Sequence, residues 1–346
     1  MKKVFLTLVA VVLILAAIAA WLVLGSGTSF SEKSKALYVY TGKANKEAVM
    51  KSIEENNLLS SPGLFSMIAN QLDVWERLKP GKFEIKKGQS VLSIAKMLRN
   101  NRQTPVKLVI NKVRTLEDLA RIIGKNFEAD SSEVISFLNN PDSLKKFNVD
   151  DHTAMTMVIP NTYSIFWNTS PGKIFERLNS EKEAFWKKNQ RLEKAGEMSF
   201  SPNQVYTIAS IVEEETNKHD EKGTVASVYI NRFFKGMPLG ADPTVKFALK
   251  DFGLKRIYYK HLQVESPYNT YRHTGLPPGP ICTPSPKTID AVLDAPKTDY
   301  LFFVAKSDFS GYHTFSTNYA EHLKHAKEFS KEQDEQALIR QQKANK

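Results

Sequence analysis

Gln204-Val205-Tyr206-Thr207-Ile208-Ala209-Ser210-Ile211-Val212-Glu213-Glu214-Glu215-Thr216 sets Val205, Ile208, Ile211 and Val212 on one stripe of a helix and ends in three glutamates. At 3.6 residues per turn, Glu215 follows Ile211 by four residues and Val212 by three, so it falls on the apolar stripe. Glu213 lies about 200° round from Glu215 and is expected to face solvent. A carboxyl on an apolar face is desolvated, its pKa rises, and a carboxylic acid kept protonated near neutral pH can act as a general acid. The competing reading is a fraying helix end, where Glu215 turns into solvent or pairs with Lys218 or Arg232.

Downstream, Thr224 to Phe234 reads as a second helix, closed by Gly236 and Pro238. Leu239-Gly240-Ala241-Asp242-Pro243-Thr244-Val245 opens a third, with Asp242 expected to cap it and Pro243 in its first turn. Residues 266–286 hold 6 of the 16 prolines among Asn, Thr, Tyr, Arg and His. A loop so stiff and polar is expected to wall a cleft, with Asn269, Tyr271, Arg272 and His273 as candidate contacts. Tyr300 to Val304 is a buried strand, and Gly311 to Asn318 brings two more candidates, His313 and Asn318.

Upstream, Ala36 to Tyr40 reads as a strand and Lys46 to Asn57 as a helix. Lys79-Pro80-Gly81 turns into the strand Lys82 to Ile85. After Gly88 a helix from Ser90 to Asn100 follows, with Val91, Ile94, Ala95 and Leu98 on one face. This stretch resembles the strand-turn-helix of a LysM module, a small wall-glycan-binding fold. Val106 to Ile110 is a strand, Thr115 to Lys125 a helix capped by Thr115, and Asp130 to Asn139 a short helix that Pro141 should stop. A further helix carries Phe175, Leu178, Phe185 and Trp186, and the tail after Ala320 reads as charged, helical and solvated at its end. No repeat of 20 to 50 residues is present, which excludes solenoids and propellers.

The N-terminal run Val4 to Leu24 is uncharged and long enough to cross a bilayer, longer than the apolar core of a cleaved signal peptide. Lys2 and Lys3 before it place the N-terminus in the cytoplasm and the bulk of the chain outside. The expected order is residues 1–3 cytoplasmic, 4–24 transmembrane, 25–35 linker, 36–108 a LysM-like α+β subdomain and 109–346 an α+β catalytic domain. Over all 346 residues, 48 Lys and Arg against 37 Asp and Glu give a net charge of +11. That excess suits a polyanionic partner. A membrane anchor disfavours nucleic acid and favours a carboxylate-rich wall. One cysteine, Cys282, and seven scattered histidines give no metal-ligand spacing, so neither metal nor cofactor is expected.

"ASIVEEET", "VASVYINR", "MPLGADPTV", "SPYNTYRHTGLPPGPI", "YLFFVA" and "HTFSTNYAEH", in that order, resemble the MltG (YceG-like) family of endolytic murein transglycosylases over essentially the whole chain. The resemblance implies a lytic transglycosylase, a carbon–oxygen lyase that cleaves the β-1,4 bond between N-acetylmuramic acid and N-acetylglucosamine within glycan strands. It leaves 1,6-anhydro ends and so trims or terminates nascent strands. The family's catalytic acid is the last Glu before Thr, here Glu215. Implied partners are peptidoglycan strands, the cytoplasmic membrane and peptidoglycan synthases. One departure is Asn161 in Ile159-Pro160-Asn161-Thr162-Tyr163, where family members commonly carry Asp, so no ionic role is implied there. Two other functions stay open: a muramidase-type hydrolase using Glu213 or Glu214 as second carboxylate, and a non-catalytic wall-binding protein.

Overall fold

The computed structural model describes residues 2–344, with backbone alone for 336–344. It mixes helices with three two-stranded sheets and divides into two compact units.

The first unit comprises residues 1–108, 123–130 and 163–170. Helix α1 (Lys2–Leu24) is long and apolar enough to cross a membrane, and none of its residues is buried by protein. Strand β1 (Ser34–Val39) is followed by α2 (Lys46–Glu55), α3 (Pro62–Gln71) and α4 (Val74–Arg77), then β2 (Gly81–Lys86) and α5 (Val91–Arg99). β1 and β2 pair antiparallel with Leu37 opposite Phe83, and strand alternation turns Leu37, Val39, Phe83 and Ile85 onto the helices. There they meet Val49, Ile53, Phe65, Ile94 and Leu98 in one core. Ser90 caps α5 through the Ser93 amide at 3.2 Å.

Two expectations change in this unit. Residues 25–35 are not a free linker: the Gly27 amide donates to the Gln89 carbonyl at 3.1 Å, Thr28 bridges Leu59, and Phe30 is buried in the core. Gly27 lies so close to α5 that a Cβ there would sit 2.5 Å from Val91 Cγ2 and 2.8 Å from the Val91 amide. The division of the chain is also not a single cut after residue 108. Segments 123–130 and 163–170 return to this unit because Glu128 accepts from the Thr41 amide and hydroxyl, at 2.5 and 2.7 Å. Trp167 covers the outer face of β1 against Tyr38 and Tyr40, with ring centroids 4.9 and 5.0 Å away.

The chain continues through β3 (Val106–Ile110), α6 (Leu116–Asn126), α7 (Ser131–Leu138), α8 (Pro141–Lys145) and β4 (Asn161–Ile165), with β3 and β4 paired. Pro141 does not merely stop α7. It opens α8, which Asn140 caps through the amides of Asp142 and Ser143, because proline is well suited to a first helical turn.

The second unit comprises residues 109–122, 131–162 and 171–346. It contains α9 (Pro171–Lys187), α10 (Arg191–Glu197), α11 (Pro202–Glu215), α12 (Lys222–Phe234), α13 (Asp242–Leu249) and α14 (Pro286–Leu293). Strands β5 (Phe302–Ala305) and β6 (His313–Ser316) pair antiparallel, Phe303 opposite Phe315, and α15 (Tyr319–Ala344) follows. α11 begins with a reciprocal capping box between Ser201 and Gln204, with Pro202 in its first turn. It runs through the middle of the core, where Val205, Ile208, Ala209, Ile211 and Val212 meet Val225, Ala226 and Tyr229 of α12 and Ile289 and Val292 of α14. Every residue from Val205 to Val212 is buried. The single stripe read from sequence is therefore a helix enclosed on all sides, which decides what happens at its C-terminal end.

Candidate active site

Three consecutive glutamates leave the end of α11 in different directions. Glu213 does not face solvent. Its carboxylate accepts from Lys222 Nζ at 2.9 Å, Ser285 Oγ at 3.2 Å and the Thr288 hydroxyl, between α12 and α14. Burial alone would raise its pKa, but the hydrogen bonds from Thr288, Lys222 and Ser285 with the Lys222 charge hold it below the usual carboxylate range. Glu214 takes a bidentate contact from Arg114, at 3.1 and 2.9 Å, and Lys112 at 3.1 Å. It too titrates low, because those cations outweigh its burial. A helical wheel assumes one neighbouring layer. In an enclosed helix the outward direction is another helix.

Glu215 is the exception. No cation pairs with it among the described residues, and its one side-chain partner is the buried phenol of Tyr229, which donates to Oε1 at 2.5 Å. Burial pushes its carboxyl up to about 7, and the charge of Asp242 adds to this, while the Tyr229 hydrogen bond and the charges of Lys246 and Arg232 pull the other way. Its place at the C-terminal end of α11, the negative end of the helix dipole, disfavours the anion further. Burial and the adjacent Glu215 hold the Tyr229 phenol well above its ordinary value, so it remains a donor. Of three adjacent carboxyls, two are fixed as anions and one exchanges its proton near neutral pH, the separation that acid–base chemistry requires.

That carboxyl opens into a cavity of about 560 Å³. Arg232 lines it from α12, held by its Nε to the Leu301 carbonyl and by Nη1 to the Leu239 carbonyl, both at 2.6 Å. Asp242 lines it from the start of α13. It is not the cap, which is Ala241, but the first helical residue, and its carboxylate accepts from Tyr271 Oη at 2.5 Å. Gly240, at φ +58, brings the backbone close under the Tyr271 ring. Phe302, Phe303, Tyr319 and His322 also line the cavity.

Of the residues singled out in the sequence, Glu215 and Tyr271 meet in this cavity. The other candidate contacts, Asn269, Arg272, His273, His313 and Asn318, do not line it. Asn269 is fully buried and donates to the Leu262 and Val264 carbonyls, which holds the shape of the loop. Arg272 pairs with Glu265 and His273 is exposed. His313 bonds to buried Glu221 through its amide, at 2.7 Å, and its Nδ1, at 3.0 Å. Asn318 accepts from the Glu321 amide and so caps α15. Lys218 does not reach Glu215 and lies over the Tyr312 ring. Sequence reasoning missed Tyr229, Arg232, Asp242 and Tyr319 as cavity residues. The helical phase of α12 held a signal for two of them, since Tyr229 and Arg232 are three residues apart on one face. No cluster that would hold a metal ion occurs among the described residues.

A sequence model of the YceG-like family matches residues 37–328. The chain is 44% identical over 127 residues to the endolytic murein transglycosylase of Bacillus subtilis, covering 36% of this chain and 34% of that protein. It is 28% identical over 295 residues to the endolytic murein transglycosylase of Streptococcus pneumoniae R6, covering 76% of this chain and 52% of that one. The chain thus spans between a third and about half the length of these curated relatives. Among solved structures it is similar to a YceG-like protein from Listeria monocytogenes, with a TM-score of 0.55 and 26% identity over 85% of this chain and 99% of that one.

Proposed function

The chain belongs to the YceG-like family, and from that premise we propose that it is a membrane-anchored endolytic transglycosylase of peptidoglycan with Glu215 as its acid and base. The observation that carries this reading is that Glu215 has no cation partner among the described residues and titrates near 7 in a cavity of about 560 Å³. In the proposed reaction Glu215 gives its proton to the oxygen leaving C1 of N-acetylmuramic acid. The oxocarbenium-like centre is supported by the sugar's own acetamido group. The Glu215 carboxylate, steadied by the Tyr229 hydroxyl, then takes the C6 hydroxyl proton as O6 bonds to C1. The glycosidic bond is exchanged for a 1,6-anhydro ring, the proton returns to Glu215, and no water is consumed. One carboxyl serves both steps.

In the same proposal α1 anchors the chain, with Lys2 and Lys3 on the cytoplasmic side, and the two folded units lie outside the cytoplasmic membrane. The LysM-like element β2–α5 would add affinity for the glycan, and peptidoglycan synthases would be neighbours there.

One observation favours keeping a hydrolase as the second reading. Glu213 and Glu214 are tied to cations, but Asp242 places a different second carboxylate in the cavity. The deciding experiment digests isolated walls with the full chain in detergent and examines the new glycan ends by mass spectrometry. Anhydro-muramic ends that vanish in Glu215→Gln support the transglycosylase. Reducing muramic ends would establish the hydrolase, and intact walls a non-catalytic binder.

A further inference from the structure

Phe302, Tyr319 and His322 give the cavity an aromatic lining, drawn from β5 and from the start of α15. Phe302 of β5 stacks on His322 of α15 with centroids 5.2 Å apart and planes at 22°. Tyr319, in the first turn of α15, lies 5.8 Å from Phe302 and 6.2 Å from His322. The Arg232 guanidinium packs over Phe302 at 5.1 Å. Burial lowers the His322 pKa, and the charges of Arg232 and His325 lower it further, so the ring is an uncharged aromatic at neutral pH.

Tyr319 is 60% exposed although it lines the cavity. An aromatic ring left open beside a concave site is surface held available for a ligand. A pyranose suits this space, because its C–H face packs on an aromatic ring while its equatorial hydroxyls point sideways toward hydrogen-bonding groups. Here those groups are Arg232, Asp242 and Tyr271.

We infer that Tyr319, backed by Phe302 and His322, is a stacking subsite for one N-acetylhexosamine ring of the glycan beside Glu215. The inference rests on the proposed function for its choice of ligand. It makes the start of α15 a part of the cleft, and it makes Tyr319 a determinant of substrate affinity with no role in proton transfer.

The test uses the full chain in detergent micelles carrying Glu215→Gln, so that ligand is not consumed, and titrates the β-1,4 tetramer of N-acetylglucosamine by calorimetry. Adding Tyr319→Ala should weaken binding roughly three- to tenfold, the worth of one stacked ring, and Tyr319→Phe should restore it. With Glu215 intact, Tyr319→Ala should raise KM for wall cleavage and leave kcat and its pH profile in place. The exposure of Tyr319 makes loss of folding an unsuitable explanation, and a melting curve checks it. Equal binding by Tyr319→Ala, a loss in Tyr319→Phe as large as in Tyr319→Ala, or no tetramer binding by the Glu215→Gln parent would overturn the inference. Ring-dependent tetramer binding by a chain that leaves walls uncut would instead overturn the proposed function and leave the subsite standing.

Discussion

The hydroxyl of Tyr229 donates to Oε1 of Glu215 at 2.5 Å, joining the last residue of α11 to the middle of α12. The pair puts a neutral donor where Glu213 and Glu214 each have cations. That difference lets Glu215 hold a proton that its two neighbours have lost.

Glu215→Gln should abolish wall cleavage, with a loss of at least about 10²-fold, since both proton transfers run through this group. In the parent, kcat/KM should fall as pH rises through about 7, because the first step needs the protonated acid. The same shift acts on folding. Stability is fully present below the ordinary Glu value of 4.5 and is lost as pH rises through about 7, by up to about 3 kcal/mol. Thermal melts should therefore show Glu215→Gln more stable than the parent at pH 8, with the gap closing below pH 4.5. A parent melting curve flat across this range would contradict the assignment.

Tyr229→Phe removes a hydrogen bond that lowers the Glu215 pKa. The alkaline limb of the pH–rate profile should move upward, and the maximal rate should drop roughly tenfold as the carboxylate loses its donor. An unmoved limb with an unchanged rate would mean that Tyr229 acts by packing alone.

Glu213→Gln should be a stability variant. Lys222 is 8% exposed at the side chain and Glu213 16%, so removing the acid leaves a buried ammonium without its counter-charge, at a cost of about 3 kcal/mol. Replacing Lys222 by Met in the same chain should recover much of the loss, and the pH midpoint of activity should stay that of the parent. Urea unfolding of the single and double variants measures this. Equal stability of Glu213→Gln and parent would refute the buried pair.

Truncation should show a sharp boundary between α1 and β1. A chain beginning at residue 26 retains the Gly27–Gln89 and Thr28–Leu59 contacts and Phe30, and should be soluble without detergent and fully folded. A chain beginning at residue 31 loses all three and should unfold its first unit at lower denaturant, by about 2 to 4 kcal/mol for the Phe30 side chain and its neighbours. Identical unfolding curves would return residues 25–35 to the status of a linker.

Sequence periodicity alone located α11 and picked Glu215 as the glutamate on its apolar stripe. Strand alternation located β1, β2 and β3, and side-chain chemistry identified the Thr115 cap, since each signal is local to its element. Only the tertiary structure decided the fate of Glu213 and Glu214. Their neutralising groups come from positions as distant as Lys112, Arg114 and Thr288, and no local pattern records such a meeting. The same holds for the cavity. Tyr229, Asp242, Tyr271 and Tyr319 stand on separate elements whose sequence signals are those of ordinary core, cap, loop and helix start. Asn269 and His313, which looked equally suited to a cleft, were spent on the backbone of the loop and on Glu221. A polar side chain in a sequence shows what it can bond to, and packing determines which partner lies within 3 Å when water has been excluded.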